Sequence, residues 1–441
     1  MLGNKKEVIL LDFSSETNIG DIALQSGLIA LLREHFPDTI LSVTTIFGAN
    51  QLTERNLHFR ELNKYPEIHV VGALRPTFYP MGQKSFNIYV FEMLNILGLV
   101  SGFLLLTILH VGGGCAKKAI PQEYCNTWDS IGNAELVIWK GKNFRNTHWL
   151  IEPYRVISRL FMPIVCLVCR KPMVCVGLSV WPLNNRLSTF FLKAVLKRCV
   201  HVSARETYSY EEINRLLKDI DPKPIVSLSP DLSFAVLRDY EPKTAGRDGN
   251  NPVVIALTVV DWKGFGVERR DNYIAALVEF IEYSVKKYNA GILFVPQVVK
   301  EWESSDYVVD EIMARVDDNT REHITQSEVK HGVQGVIKLY RQSDFLIATR
   351  MHSAIFALSV GTPVLAIPYD TGAKWGILGD LGYADYMINY DLVDGGRFIA
   401  LFEQLKQNRQ TIMDNVQNRI RKQMERVDET VLGFRQLIEQ N

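Results

Sequence analysis

The sequence predicts an α/β protein of two doubly wound domains, and three observations carry that prediction. Short apolar runs ending in Gly or polar turns alternate with helical periodicity through both halves of the chain. Between Arg238 and Pro252 the periodicity lapses into RDYEPKTAGRDGNNP, which is linker composition. The length of 441 residues suits two domains, each able to bury its own core. The division this predicts is an N-terminal domain over residues 1–240, a linker over 241–252, a C-terminal domain over 253–395 and a helical tail over 396–441.

The chain opens with basic residues before an apolar run that breaks at Asp12, too early for a signal-peptide core, so Glu7–Phe13 reads as a first strand. A helix follows from about Asp21 to Glu34, with Ile22, Leu24, Leu28, Ile29, Leu31 and Leu32 as its buried face. Further strands are expected at Leu41–Ile46, His69–Val71, Leu104–Val111, Met173–Gly177 and His201–Ser203. Ile88–Leu109 is nearly long enough to cross a bilayer, but Glu92, Asn95, Gly98 and Gly102 interrupt it. We expect a buried or surface-docked helix there, a turn near Ser101 and Gly102, and a core strand from Leu104 that ends in Gly112-Gly113-Gly114; contact with a membrane interface is the intermediate alternative.

After the linker come strand Val253–Leu257, helix Asn272–Tyr288, strand Gly291–Pro296 and helix Ser305–Val316. Asp344–Pro368 is the clearest unit: a strand, the turn Arg350-Met351-His352-Ser353, a helix stopped by Gly361, and a second strand. The tail from Arg397 to Gln440 is charged and helical, and is expected to pack back across the domain junction.

Equal numbers of basic and acidic residues, 49 each, give no long-range field for a polyphosphate backbone, so nucleic acid is not an expected partner. Six cysteines are too sparse for a disulfide scaffold, and with no N-x-[ST] sequon they fit the cytoplasm. Cys166 and Cys169 form a C-x-x-C inside an apolar stretch with no second pair at zinc spacing, which predicts buried thiols rather than a metal site. Walker A, HExxH, GxSxG and EF-hand patterns are absent from the sequence, so no metal is expected in the chemistry.

In open α/β sheets ligands sit beyond the carboxyl ends of strands, where helix N-termini favour anions. Arg350 and His352 fall at that position: the Arg can grip a carboxylate or phosphate, and the His can deliver a proton. Ser353, on the same turn, reads either as a helix cap or as a ligand contact. Arg205, in Ser203-Ala204-Arg205-Glu206, follows a strand in the same way, although a lone Arg more often makes a salt bridge. Asn18, Gly20 and Asp21 occupy the first strand-to-helix turn, either as a well-formed turn or as a backbone cradle with a carboxylate facing the cleft. Gly113 and Gly114 would similarly admit a ligand, and Asp231 is the last polar group before the linker.

Two Rossmann-like halves with an anion-reading Arg and His between them describe the B-type glycosyltransferase (GT-B) architecture. The motifs then narrow. N-x-G-D at Asn18–Asp21, GGG at Gly112–Gly114, G-x-S-x-x-P at Gly177–Pro182, S-A-R-E at Ser203–Glu206, P-D-L-S-F at Pro230–Phe234 and TRMHSAIFALSVGTPVLAIPYD at Thr349–Asp370 resemble the polysaccharide pyruvyl transferase family in order and spacing. The chain departs from the family pattern in Val176–Pro182, often a Gly-Gln-Gly-Ile-Gly-Pro-like segment, and at Met351, often Leu.

The resemblance implies a GT-B-like fold and transfer of an enolpyruvyl-derived group from phosphoenolpyruvate to a sugar of a cell-surface glycan or its lipid-linked precursor, giving a pyruvate ketal. It implies no cofactor, phosphoenolpyruvate being a co-substrate; the cysteine content leads us to expect a cytoplasmic protein, and the long apolar stretch before Leu109 is consistent with peripheral contact at the inner face of the membrane. It assigns Arg205 and Arg350 to the donor's carboxylate and phosphate and His352 to general acid catalysis; Asp21 is the candidate base. A nucleotide-sugar glycosyltransferase of the same architecture is the alternative, but Ala354–Val360 lacks the carboxylate such enzymes commonly use to hold a ribose.

Overall fold

The structure, a computed structural model, describes residues 6–14, 18–49, 62–78, 88–243, 252–261, 266–298, 306–328, 332–369 and 372–439. The N-terminal sheet contains β1 (Glu7–Phe13), β2 (Ile40–Gly48), β3 (His69–Ala73), β4 (Leu136–Lys140), β5 (Asn143–Phe144), β6 (Met173–Val180), β7 (His201–Ala204) and β8 (Ile225–Leu228). Their order is β3-β2-β1-β4-β6-β7-β8, with β5 paired to β6. The C-terminal sheet, β9 (Val254–Thr258), β10 (Gly291–Phe294), β11 (Ile324–Gln326), β12 (Phe345–Ala348) and β13 (Val364–Ala366), runs β11-β10-β9-β12-β13. The strand pairs are parallel in both. Each sheet reverses its direction of growth once, between β1 and β4 and between β9 and β12, and these switch points open the crevices in which such folds bind ligands.

Alternation along β1 and β4 feeds two cores. Val8, Leu10, Leu136 and Ile138 join a core continuous with that of the second sheet, while Ile9, Leu11, Val137 and Trp139 face the other side. Helix α1 (Ile19–His35) covers the first face. The second face is covered by α2 (Ile88–Ala116), α3 (Gln122–Asn133), α4 (Glu152–Val168), α5 (Arg186–Leu196) and α6 (Thr207–Leu216). Around the second sheet lie α7 (Val267–Tyr288), α8 (Asp306–Arg315), α9 (Asp318–Glu322), α10 (Gly332–Gln342), α11 (Met351–Ser359), α12 (Gly376–Asp380) and α13 (Gly395–Gln407). Helices α14 (Arg409–Arg426), α15 (Glu429–Leu432) and α16 (Arg435–Glu439) return to the N-terminal domain. There Asp428 meets His35 Nε2 at 3.0 Å and Arg238 Nη1 at 3.1 Å.

One expected segment is corrected. Leu104–Val111 is not a strand and Ser101-Gly102 is not a turn; both belong to α2, which is helical from Ile88 up to a kink at Gly113, beyond which a short helical piece ends at Ala116. The helix docks by one face, with Leu99, Leu106 and Leu109 buried, and leaves Met93, Leu97, Val100, Leu104, Ile108 and Val111 exposed. Val90–Cys115 is long and apolar enough to cross a membrane. The strand beside β1 is instead β4, which the sequence reading passed over. Most of the expected linker, residues 244–251, lies outside the described residues. The six cysteines are free; burial pushes the Cys166 thiol well above its ordinary range and Cys169 up to about 11, which makes both poor nucleophiles.

Candidate active site between the domains

The two switch points face each other. On the N-terminal side α1 starts at Ile19, and its cap Asn18 accepts the Gly20 N–H at 3.0 Å. The same turn is tied to the other domain: the Ile19 N–H donates to the Gln297 carbonyl at 3.1 Å. On the C-terminal side β12 ends at Ala348, and Thr349 is locked to β9, its N–H donating to Thr258 Oγ1 at 3.1 Å. Arg350 then caps α11 without a side-chain capping bond, so the first-turn N–H groups of α11 lie at the junction. A Cβ on Gly20 would lie 2.2 Å from His352 Nδ1. Only glycine lets the first turn of α1 come this close to the imidazole.

The other ring nitrogen, His352 Nε2, is buried without a hydrogen-bond partner among the described residues and stands 3.8 Å from Asp231 Oδ1, within reach of charge attraction but too long for a hydrogen bond. Asp231 is fully buried just beyond β8. It accepts the Ser233 N–H at 2.9 Å and an N–H of Arg205 at 3.1 Å. Burial opposes its charge, yet His352, Arg205 and Ser233 together hold its carboxyl well below the usual range. Arg205 also donates from Nε to Ser179 Oγ at 2.7 Å, and that hydroxyl donates to Glu206 at 3.0 Å. Burial raises the Glu206 carboxyl, with Arg205 opposing.

Arg350 and His352 are therefore neighbours with different roles in the local structure. The Arg350 guanidinium carbon lies 5.7 Å from the Tyr369 ring centre, and the Arg350 Nε is buried without a hydrogen-bond partner among the described residues. Ser353 is fully buried beside Tyr340, so it neither caps α11 nor reaches the junction surface. Asp21 sits on the first turn of α1, and its Oδ1 is 4.0 Å from Lys140 Nζ. A cavity of about 230 Å³ runs past Arg205 between the domains, lined also by Thr207, Ser229, Ile377, Asp380 and Arg426.

Thus Asn18, Gly20, Asp21, Arg205 and His352 converge, with Arg350 two positions before His352 at the same helix start. Gly113 and Gly114 do not converge with them: they lie at the end of α2, exposed, with nothing within 4 Å of an added Cβ. The close glycine at the N-terminal switch point is Gly141, whose Cβ would come within 2.6 Å of the Leu178 backbone. Three charged residues were not assigned to the site by the sequence reading: Asp231, Glu206 and Lys140. Lys140-Gly141-Lys142 after four apolar residues was the available signal.

A family model for polysaccharide pyruvyl transferase matches residues 18–371. No curated protein matches this sequence. Solved structures with similar folds include a putative UDP-N-acetylglucosamine 2-epimerase from Listeria monocytogenes, 12% identical over 99% of this chain and 98% of that one, with a TM-score of 0.58. A UDP-glucosyltransferase from Polygonum tinctorium is 10% identical over 100% of both chains, with a TM-score of 0.56. A UDP-GlcNAc 2-epimerase from Methanocaldococcus jannaschii is 12% identical over 90% of this chain and 92% of that one, with a TM-score of 0.51. At these identities the likeness establishes the architecture, two Rossmann-like domains in the GT-B arrangement. With the family match spanning both switch points, the chain belongs to the polysaccharide pyruvyl transferase family, whose members are transferases of polysaccharide biosynthesis.

Proposed function

We propose that the protein transfers a pyruvyl group from phosphoenolpyruvate to two hydroxyls of a sugar in a cell-surface glycan or its lipid-linked precursor, forming a cyclic ketal and releasing phosphate. The supporting observation is a buried imidazole nitrogen and a buried guanidinium nitrogen, His352 Nε2 and Arg350 Nε, both without a hydrogen-bond partner among the described residues and both at one helix N-terminus. A donor with a carboxylate and a phosphate needs cationic forks to orient it and an acid to protonate its methylene carbon. His352 gives that proton. The carbon that bore the phosphate becomes electron-poor, one sugar hydroxyl adds to it, phosphate departs, and the second hydroxyl closes the ring; each hydroxyl loses one proton. Asp21 is positioned on the α1 turn to take a hydroxyl proton, and Asp231 supplies the carboxylate facing the acid. No cofactor enters this sequence.

We place the enzyme in the cytoplasm against the inner face of the membrane. Free cysteines and the exposed apolar face of α2 support that reading, as do Trp149, Leu150 and Phe190, which are exposed on the loop before α4 and on α5.

The test is thermal stability with phosphoenolpyruvate, compared with UDP- and GDP-sugars at equal concentration. The midpoint is expected to rise with phosphoenolpyruvate alone, and Arg350→Ala is expected to abolish the rise. A rise with nucleotide sugars alone would move the assignment to a glycosyltransferase.

A further inference from the structure

Lys140 ends β4 at the switch point of the N-terminal sheet, beside β1 and β6. Its side chain is 3% exposed, and its ammonium has no hydrogen-bond partner among the described residues. An ammonium carries three donors, and burying all three without acceptors is costly. The fold answers Arg205 with Asp231 and Ser179, but does not answer Lys140 in the same way. Around it stand Asp21 on α1 at 4.0 Å, the Phe13 ring of β1 at 5.8 Å, and at longer range Asp12 on β1, Lys142 beyond β4 and Arg205 beyond β7. Asp12 already accepts the Trp139 indole N–H at 3.1 Å, and Lys142 donates to the Asp12 carbonyl at 3.1 Å.

We infer that Lys140 is a donor-binding residue whose ammonium hydrogen-bonds the phosphate oxygens of phosphoenolpyruvate at the crevice between β1 and β4. A compact point charge suits a tetrahedral phosphate, while the planar fork of Arg350 suits the carboxylate. Burial lowers the Lys140 pKa to about 8, with Asp21 opposing, so a bound dianion that favours the charged form draws a proton onto it. This assignment rests on the phosphoenolpyruvate reading above.

The experiment is calorimetric titration of phosphoenolpyruvate into the full-length protein and into Lys140→Met, which keeps the stem and removes the charge. The dissociation constant is expected to rise about tenfold or more, the scale of one charge-assisted contact, while the melting temperature holds or increases. A second readout needs no variant: near pH 8.5, where imidazoles and phosphate esters titrate little, binding to the wild type is expected to take up protons, seen as heat that depends on the buffer's ionisation enthalpy. Wild-type binding without proton uptake, or equal affinity in a folded Lys140→Met, overturns the role of Lys140 and leaves the donor reading intact. Absence of wild-type binding overturns the donor reading, and this assignment with it.

Discussion

Arg205 and Lys140 lie at the carboxyl ends of strands of the same sheet, yet one is hydrogen-bonded to a carboxylate and a hydroxyl, while the other faces the Asp21 carboxylate at 4.0 Å without a hydrogen bond among the described residues. Removing a partner from Arg205 strands a buried charge. Asp231→Asn is expected to cost about 3 kcal/mol at neutral pH in urea melts, in the range for breaking a buried pair. The folded Asp231 carboxyl lies below its unfolded value, so its contribution is full above the ordinary aspartate pKa and is lost as pH falls through the folded one. The gap between wild type and variant should therefore be constant from neutrality to about pH 5 and close below about pH 4. Lys140 gives a slope in the same direction, but there it is the neutral form that folding favours. Its folded pKa of about 8 is below the ordinary 10.5, so the unfolded chain holds the proton more tightly and stability rises with pH between those values. Burial of Cys175 and Cys199 raises their thiols and pulls stability the other way, so the measurement is the stability of the wild type relative to Lys140→Met, expected to rise with pH over that interval.

At the level of elements, the first turn of α1 and the start of α11 meet through Gly20 and His352. Gly20→Ala is expected to lower turnover about a hundredfold or more, since a displacement near 1 Å at a reacting group carries that penalty, while circular dichroism stays native. Retained turnover would show that His352 tolerates displacement and is not the acid. The unit holding His352 was readable because β12, α11 and β13 follow one another in sequence, with Gly361 at a φ of 83° stopping the helix as its position suggested. The opposite wall was less legible. Leu104–Val111 has the composition of a core strand, but Leu104, Ile108 and Val111 stay exposed, and composition carries no information on which apolar faces a fold leaves uncovered. That exchange hid β4 and therefore Lys140. Asp231 was visible only as a polar residue before the linker; its weight comes from Arg205, which follows β7 and is braced by Ser179 of β6, a relation set by register between distant segments.

The whole molecule is two sheets held in register by helices that cross from the second domain back to the first, and its exposed apolar helix α2 belongs to the first. Co-flotation with anionic vesicles is expected for the wild type and is expected to weaken at least about tenfold in Leu104→Glu/Ile108→Glu, because the buried apolar area drives interfacial binding. Unchanged flotation would remove the membrane from the proposal. The division of the site between the domains also bears on fidelity. His352 is carried by one domain, while the carboxylate facing it and the turn pressed on it belong to the other. Under the proposed chemistry, any separation of the two domains would take the acid away from the place where the N-terminal domain holds its charges. The donor would then meet solvent without a positioned proton, and its wasteful hydrolysis would be suppressed by where the chain places one histidine.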